Sequence, residues 1–377
     1  MPSLLQGIEL LSRSSRESPQ QRCWKTIVVL IVIVLFAVLS GCKEAPTGTP
    51  LVRQQWAVFN TSNSKLANNH INAFYLDAEG KMWVGTGSGV SCFRQGSWSN
   101  FAGDFSWTVN TPEGSRSVSV VTSIAESPDR TSMWFALAGG GVARYNINAS
   151  TVVWKRYTTD DGLPFNYVLS IAAERLRGDI WCTTMYGLAR FIPAANESGT
   201  WLSYTTDNSQ LPSNSFRCVM CDPVDNSVWF GSQFSEIAYM DGEGKWQRTI
   251  TLPYPYDYPI SAITFDLTSI WFAKWQGVSS FNTQTLEWRH YSSDNTNGGL
   301  PYGMVYAVAT NLETTRWFGT NKGLVRLSGD TWTTFNRNNS PQLPSDTVTA
   351  VIYDMNGNLW IGTVNGLALF NEQGIKY

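Results

Sequence analysis

A tryptophan-centred motif recurs seven times along the chain, and this repetition restricts the fold more than any other feature of the sequence. Most copies read as a strand, a tight turn with glycine and a second strand, as in "MWVGTGSGVSCF" at 82–93 and "LWIGTVNGLALF" at 359–370. The anchor residues, spaced 42 to 51 positions apart, are Trp83, Trp134, Trp181, Trp229, Trp271, Trp317 and Trp360. A regular period of this length is typical of solenoids, propellers and other repeat arrays.

Each repeat predicts four short strands. An alternating strand precedes the anchor and ends in a turn with Asp and Gly, such as "DMNGN" at 354–358, where both residue types favour turn geometry. The third strand follows, and the fourth carries a Trp-x-x-aromatic pattern. Its copies are "WSNF" 98–101, "WKRY" 154–157, "WLSY" 201–204, "WRHY" 288–291, "WTTF" 332–335 and a degenerate "WQRT" 246–249.

Four antiparallel strands repeated radially are the pattern of a β-propeller blade. A single blade cannot bury both of its faces, so neighbouring blades must cover them in a closed array. The sequence therefore predicts an all-β fold, a seven-bladed β-propeller of four-stranded antiparallel blades. The repeated tryptophans are expected to pack between the blades and to carry no chemistry.

The last blade lacks a fourth strand, whereas one Trp-x-x-aromatic unit, "WAVF" at 56–59, precedes the first blade. An unpaired sheet edge invites aggregation. We therefore predict that an N-terminal strand at 55–59 pairs with "GLALF" at 366–370 of the C-terminal blade and closes the ring. Deleting residues 51–60 should then cost far more stability than trimming an ordinary tail.

The repeats resemble those of the two-component regulator propeller family, whose pattern is roughly LPxNxVxxIxxDxxGxLWIGTxxGLxxY. Blade 7 matches from Leu343 to Phe370, and blade 1 matches with "LANNHINAFYLDAEGKMWVGTGSGVSCF" at 66–93. Blades 3 and 6 match well and the others more loosely, so the resemblance covers about residues 55–377. It implies a sensor-type domain, which in that family precedes a further β domain, a membrane helix and a kinase. We expect this chain to act without a signalling domain of its own.

The N-terminal region is predicted to be a targeting segment. Residues 27–39 form a 13-residue apolar run, shorter than the roughly 20 residues of a membrane span but within the roughly 7–15 of a signal-peptide core. "LSGC" at 39–42 resembles the bacterial lipobox, which implies that Cys42 is the lipidated residue. We predict a signal peptide at 1–41, a lipidated Cys with a flexible tether at 42–54, and the propeller at 55–377.

An uncleaved N-terminal anchor is the alternative. Under the lipoprotein interpretation, the protein is anchored to a membrane through lipid on Cys42, with the propeller outside the cytoplasm. Lys43 follows the cysteine. The Asp that favours inner-membrane retention in the lipoproteins it resembles is therefore absent, which favours the outer membrane of the bacterial envelope.

Composition argues against several other functions. The net charge is −2 and the isoelectric point is about 5.8, so no basic surplus indicates nucleic-acid binding. The remaining cysteines are interpreted as buried, inert thiols, since Cys218 and Cys221 lie three apart on a predicted strand and point to opposite faces. There are only two histidines, His70 in an entry loop and His290 in an outer strand. No catalytic set, metal site or cofactor is predicted.

Function is expected on the loops that enter the first strand and those that join the second and third strands, since loops on a rigid scaffold carry most binding sites. In the entry loops, Asn166, Asn214 and Asp346 are predicted to be turn caps. Large or polar side chains in these loops suit stacking and hydrogen bonding to a sugar or peptide. The candidate ligand-binding residues are His70, Met185, Tyr186, Gln233, Phe234, Lys274, Trp275 and Lys322.

The leading hypothesis is a lipid-anchored binding or sensor module that presents one propeller face to a glycan, a peptide or a partner protein. A separate sensor kinase or another envelope protein is the expected partner. One alternative is a lyase or hydrolase acting at the channel mouth, because streptogramin-type and some polysaccharide lyases are seven-bladed propellers; only His70 is suitably placed for this. The other alternative is a structural scaffold of an envelope complex.

Overall fold

The computed structural model describes residues 54–101, 107–111, 114–148, 154–195, 198–252, 255–311 and 314–377. These belong to one compact unit that spans residues 53–377. The predicted signal peptide, Cys42 and nearly all of the predicted tether lie outside the described residues. None of the helices among the described residues has the length and hydropathy of a membrane span.

The first strand, β1, covers Trp56–Phe59, and the strands after it form blades in chain order. Blade 1 contains β2 (Ile71–Leu76), β3 (Met82–Thr86), β4 (Gly89–Arg94) and β5 (Ser97–Asn100). A hairpin of β6 (Trp107–Thr111) and β7 (Gly114–Val118) follows. Blade 2 contains β8 (Val121–Glu126), β9 (Ser132–Leu137), β10 (Gly141–Asn146) and β11 (Trp154–Tyr157). Blade 3 contains β12 (Val168–Ala173), β13 (Ile180–Thr184), β14 (Leu188–Pro193) and β15 (Gly199–Tyr204).

The second half of the ring follows the same order. Blade 4 contains β16 (Phe216–Cys221), β17 (Val228–Ser232), β18 (Glu236–Met240) and β19 (Ile250–Thr251). Blade 5 contains β20 (Ile260–Phe265), β21 (Ser269–Lys274), β22 (Gly277–Asn282) and β23 (Trp288–Tyr291). Blade 6 contains β24 (Val305–Thr310), β25 (Thr315–Thr320), β26 (Gly323–Ser328) and β27 (Thr331–Phe335). Blade 7 contains β28 (Val348–Tyr353), β29 (Leu359–Thr363) and β30 (Gly366–Phe370), with β1 as its outer strand.

The blades close into a ring, as predicted. The first strand of every blade contacts the first strands of its two neighbours, including β28 beside β2. β1 pairs antiparallel with β30 in a register that joins Trp56 to Phe370 and Phe59 to Leu367. The Trp56 and Phe370 rings lie 4.6 Å apart. The displaced N-terminal strand therefore completes the seventh blade, and the all-β, seven-bladed fold class is confirmed.

The anchor tryptophans form the core between blades, and in several blades the Asp of the preceding turn accepts a hydrogen bond from the indole. All seven are at most 6% exposed. In three blades the indole N–H donates to this Asp: Trp83 to Asp77 at 2.8 Å, Trp271 to Asp266 at 2.8 Å and Trp360 to Asp354 at 3.0 Å. The carboxylate also accepts backbone N–H groups of its own turn, for example from Lys81 to Asp77 at 2.8 Å. One acidic side chain thus satisfies both the turn and the buried indole.

The glycine after the loop between the second and third strands is required by a close approach of the backbone. Gly323 has a φ of +122°, and a Cβ atom there would lie 2.2 Å from the carbonyl oxygen of Phe335. The loop of blade 4 is one residue longer, since Gly231 pairs with Ile237 whereas Gly319 pairs with Leu324, and in this loop Ser235 has a φ of +72°. A non-glycine residue in the left-handed region marks a locally strained backbone.

Two features of the ring differ from the sequence-based expectation. The hairpin β6–β7 occupies the entry to blade 2, where no strands were predicted. In blade 4 the outer strand is the two-residue β19 at Ile250–Thr251, whereas "WQRT" at 246–249 was expected to form it. Trp246 still packs against Trp181 and Phe230 between blades and keeps one antiparallel bridge to Met240. The expected pairing is therefore reduced to a single bridge at Trp246, and regular pairing resumes at Ile250.

Candidate functional site

One face of the propeller, here called the upper face, carries both the entry loops and the loops between second and third strands. The entry loops are fixed to the neighbouring blade by their Asn or Asp. The Asn166 side-chain oxygen accepts from the Thr159 N–H at 2.9 Å, and its carbonyl accepts from the Gly141 N–H at 2.8 Å. Asn214 and Asp346 make equivalent contacts. Their predicted role as turn caps agrees with these contacts, and the upper face is consequently a firm support for its exposed side chains.

Four of the predicted ligand-binding residues expose large apolar side chains on this face. Met185 (54% exposed) and Tyr186 (49%) lie on blade 3, Phe234 (61%) on blade 4 and Trp275 (49%) on blade 5. Tyr302 in the entry loop of blade 6 is also exposed. These side chains come from four consecutive blades, so they form an arc around the channel mouth, here called the aromatic arc.

The aromatic arc is held in part by its own hydrogen bonds. Gln276, next to Trp275, donates from its side-chain amide to the Tyr302 hydroxyl at 2.6 Å. Gln276 has a φ of +64°, again in the left-handed region that non-glycine residues seldom adopt. The loop that presents Trp275 is thus cross-linked to the next blade rather than free in solvent.

His70 and Lys322, also predicted as ligand-binding residues, are exposed on blades 1 and 6. The His70 side chain makes no hydrogen bond or ion pair with any residue that the structure describes, although its backbone N–H donates to Asn68 at 2.8 Å. General acid–base catalysis by histidine usually depends on a partner that orients the ring. The described residues provide no such partner for His70.

Lys274 differs from the expectation of an exposed loop residue. It is the last residue of β21 and only 1% exposed. Its Nζ atom donates to the Tyr256 carbonyl oxygen at 3.2 Å and lies 4.8 Å from the centre of the Tyr256 ring. The entry loop of blade 5 therefore folds over Lys274 and removes it from the exposed upper face, an arrangement that a one-dimensional motif does not reveal.

The same tyrosine joins Lys274 to His290. The Tyr256 and His290 rings stack at a centroid distance of 4.0 Å, and His290 Nδ1 lies 2.8 Å from the Ser279 hydroxyl oxygen. Burial lowers the pKa of Lys274 to about 7, with Asp257 opposing the shift. Burial, and then the charge of Lys274, lower the pKa of His290 to about 4. Both groups therefore favour their neutral forms more than they do in water.

Raising the pH from about 7 to about 10 is expected to increase the stabilising contribution of the Lys274 site, and Lys274→Met is expected to remove this contribution. The folded-state pKa of Lys274 is about 7, against about 10.4 in an unfolded chain. Between these values the unfolded chain binds more protons at this site, so the Lys274 contribution to the free energy of unfolding rises with pH. The buried cysteines oppose it above about pH 8.5, where they ionise in the unfolded chain, but they do so equally in the parent and the variant. His290 titrates below this window. The measurement is the free energy of unfolding in urea at pH 7 and pH 10. Lys322→Met, which changes an exposed lysine, is the control. If the free energy of unfolding changed equally with pH in the parent and in Lys274→Met, the lowered pKa of Lys274 would be wrong.

A cavity of about 260 Å³ lies in the central channel and is lined by the first strands of all seven blades. Each first strand has a β-bulge at its second residue. The bulged residues are Asn72, Thr122, Leu169, Arg217, Ser261, Tyr306 and Thr349. Since the first strands begin at the upper face, this ring of residues surrounds the channel close to its upper mouth.

Arg217 is the charged residue among those that line this cavity. Its Nη1 atom donates to the Gln233 side-chain oxygen at 2.7 Å, which joins the channel to one of the predicted ligand-binding residues. Sequence reasoning concentrated on loops and missed Arg217. An alignment of the seven first strands reveals it, because short polar residues occupy the same position in four of the other blades.

The opposite face has a larger cavity, of about 540 Å³, between the turns of blades 6 and 7. The Arg326 guanidinium in this cavity is already paired with the Glu372 carboxylate. Among the described residues, no group of three or more His, Cys, Asp or Glu side chains is placed to hold a metal ion.

The four described cysteines are free thiols in or near the core. Burial raises the pKa of Cys218 to about 12 and raises those of Cys92, Cys182 and Cys221 further above their usual range. A thiol that stays protonated is a poor nucleophile and metal ligand, which is in keeping with the interpretation of these residues as inert.

Comparison with known proteins identifies the repeats. The sequence profile of the two-component regulator propeller family matches residues 65–88 and 342–365, within the first and last repeats. None of the curated proteins searched matches the sequence.

Several solved structures share the fold. One is described as the extracellular domain of a hybrid two-component system, BT3049, of B. thetaiotaomicron, with 20% identity and a TM-score of 0.66 over 84% of this chain and 41% of that one. Another is a streptogramin B lyase, with 16% identity and a TM-score of 0.60 over 86% and 99% of the two chains. A third is PorZ, a surface component of the type-IX secretion system of Porphyromonas gingivalis, with 17% identity and a TM-score of 0.61 over 86% and 48%.

These identities are low, so the likeness shows a common fold. The chain spans about 40% of the length of the hybrid two-component system domains that it matches.

Proposed function

Because the chain carries two-component regulator propeller repeats, we propose that it is a sensor-type module that binds its ligand on the upper face. The observation that carries the proposal is the aromatic arc, in which Tyr186, Phe234, Trp275 and Tyr302 are 49–62% exposed on firmly held loops. Rings presented in this way offer apolar contact area with little loss of conformational entropy. A glycan or a peptide is the ligand class that such a surface suits.

The proposal includes a place in the bacterial envelope. Lipid on Cys42 would tether the propeller outside the cytoplasm, with the outer membrane favoured. Two solved structures with this fold are described as extracellular domains of hybrid two-component systems, which supports a sensing role, and a separate sensor kinase is the partner we propose. That kinase would then detect ligand binding through direct contact with the propeller.

Loss of one ring from the aromatic arc is expected to weaken ligand binding about tenfold, the equivalent of about 1.4 kcal/mol. Residues 43–377, which contain the whole ring, would be screened on glycan and peptide arrays, and the hits remeasured with Phe234→Ala and Trp275→Ala. Leu267→Ala is the matched control, since Leu267 is 73% exposed on a turn of the opposite face. Equal affinity in all three variants would place the site elsewhere.

Two other functions remain as outcomes of the same screen. A lyase or hydrolase would convert a bound glycan or peptide to product, and this activity would depend on His70. The isolated His70 side chain argues against this, because the described residues supply no general acid or base beside it. A structural scaffold, as the likeness to PorZ suggests, would bind no array ligand and would instead retain an envelope protein.

A further inference from the structure

The bulged residue of the first strand normally joins one blade to the next. In four blades its side chain donates to a backbone carbonyl of the following blade. These inter-blade hydrogen bonds are Asn72 to Val121 at 2.9 Å, Thr122 to Val168 at 2.8 Å, Ser261 to Val305 at 2.5 Å and Thr349 to Ile71 at 2.6 Å. The acceptor is in each case the residue that precedes the next bulge, so the bond is a repeated device of the ring.

Blades 3, 4 and 6 lack this hydrogen bond. Leu169 of blade 3 has no side-chain donor, and neither Arg217 of blade 4 nor Tyr306 of blade 6 donates to the next blade among the described residues. At blade 4 the Ile260 carbonyl, which would accept it, receives instead a weak side-chain contact of 3.7 Å from Cys218 Sγ. Arg217 and Tyr306 instead line the channel cavity. Polar side chains that replace a stabilising contact and face a cavity indicate function rather than stability.

The surroundings of Arg217 suit an anion. The residues that line the cavity include no carboxylate, and Arg217 makes no ion pair with any described residue. A guanidinium has five N–H donors, and the one described hydrogen bond uses a single nitrogen and holds the group against Gln233. The remaining donors are free for a ligand. The Tyr306 hydroxyl, in the same cavity, likewise makes no hydrogen bond with the described residues.

The loop of blade 4 ties this charge to the aromatic arc. Gln233, which orients Arg217, is followed by the exposed Phe234 and by Ser235, whose φ of +72° lies in the left-handed region that non-glycine residues seldom adopt. Backbone strain of this kind is retained where the surrounding structure needs a particular geometry. Here it places an apolar ring beside the entrance to a positively charged cavity.

We propose that the upper mouth of the channel is a carboxylate subsite, in which Arg217 anchors the acid group of a sugar acid whose remaining rings lie along the aromatic arc. This inference rests on the proposed function of the upper face. Arginine recognises planar carboxylates through two parallel hydrogen bonds. The single positive charge of the cavity matches a monoanion better than a phosphate dianion. Its volume of about 260 Å³ is just below the roughly 300–1,000 Å³ of pockets for whole ligands, so it takes one end of a longer molecule.

The test compares three sugars on residues 43–377 by isothermal titration calorimetry: trigalacturonate, free galacturonate and the neutral maltotriose. We expect trigalacturonate to bind at least about tenfold more tightly than maltotriose. We expect Arg217→Gln to weaken trigalacturonate about 100-fold, as loss of a charged hydrogen-bonding partner does. Arg289→Gln removes the same charge from the outer strand of blade 5, and its affinity should stay within about twofold of the parent. Free galacturonate as the tighter ligand would assign the site to a small acid instead of an oligosaccharide, against the proposal.

A second variant separates function from folding. Arg217→Thr introduces the residue that forms the inter-blade hydrogen bond in blades 2 and 7, so it should raise the melting temperature and still abolish preference for the acidic sugar. A lower melting temperature would mean that Arg217 stabilises the ring, and would overturn the inference. So would failure to bind any acidic probe, or unchanged affinity in Arg217→Gln. Neutral glycans or peptides that bind and depend on Trp275 but not on Arg217 would leave the proposed function intact while this inference falls.

Discussion

Deletion of residues 51–60 is expected to lower the melting temperature by more than about 10 °C or to abolish cooperative folding. The deletion removes β1 and exposes the edge of β30. It also removes the contacts of Trp56 with Phe370 and of Phe59 with Phe93 and Trp98. Burial of a large apolar side chain contributes about 1.5–3 kcal/mol, and each kcal/mol corresponds to roughly 2–4 °C in a protein of this size class. Thermal unfolding followed by circular dichroism measures the effect.

The matched control for this deletion removes residues 43–50, which were predicted to form only a tether. It should melt within about 1 °C of the parent. If the deletion of 51–60 also melted like the parent, the pairing of β1 with β30 would have no part in stability. An increase in aggregation of the 51–60 deletion at high concentration is the second expected sign, since an open sheet edge pairs with other chains.

Asp266→Ala is expected to destabilise the protein by about 3–5 kcal/mol, the usual effect of removing one partner from a buried charged pair. Asp266 is 4% exposed and lies 2.7 Å from the Arg316 guanidinium of blade 6. It also accepts from the Trp271 indole at 2.8 Å and from two backbone N–H groups of its turn. The substitution removes the acceptor of the indole, of the turn and of the Nε and Nη2 atoms of Arg316, which keeps its hydrogen bond from Nη1 to the Thr314 carbonyl. Urea unfolding of the parent and the variant at pH 7 measures the loss.

Glu79→Ala provides the control for Asp266→Ala. Glu79 pairs with Arg94 at 3.0 Å on the same face, but the two side chains are 62% and 47% exposed. Exposed ion pairs contribute about 0–1 kcal/mol, so this variant should stay within that range. Similar losses in the two variants would show that burial between blades does not strengthen the Asp266 pair.

Burial raises the pKa of Asp266, but hydrogen bonds from Arg316, the Thr268 N–H and Trp271 lower it further, so that it lies below its usual value. The charged carboxylate therefore stabilises the folded state at pH values above about 4, and this contribution is lost as the pH falls below the unfolded pKa of about 3.9. The comparison at pH 7 consequently measures the pair with its contribution fully present.

Most of the fold could be predicted because it depends on local repetition. The tryptophan anchors from Trp83 to Trp360 recur in every copy, and the first strand of each copy packs against those of its two neighbours. The surplus "WAVF" at 56–59 was enough to predict closure, since seven anchors need seven outer strands. The hairpin β6–β7 escaped prediction because it belongs to no repeat. β19 was misplaced because the chain pairs at Trp246 through a single bridge to Met240 and resumes regular pairing only at Ile250.

The candidate site was predicted less completely, for a different physical reason. Exposed loop residues such as Phe234 and Trp275 stand out from the repeat, and the structure exposes both. Lys274 also stands out, yet the Tyr256 loop covers it, and the cover comes from a segment that no repeat pattern describes. Arg217 was missed because its position looks like an ordinary strand residue until the first strands of all the blades are superposed.

The sequence by itself determined the number of blades, the position of most of their strands and the way the ring closes. These features follow from periodic hydrophobic and turn patterns. The patterns set the strands within each repeat, and because the repeats are similar they also set the packing of one blade on the next. Only the tertiary structure decided which side chains meet at the centre and upper face. The channel brings together one residue from each of seven strands spread over nearly 280 positions. The burial of Lys274 and the position of Arg217 at the channel cavity both depend on segments that are distant in the sequence and meet only in the folded ring. No local sequence pattern encodes such contacts.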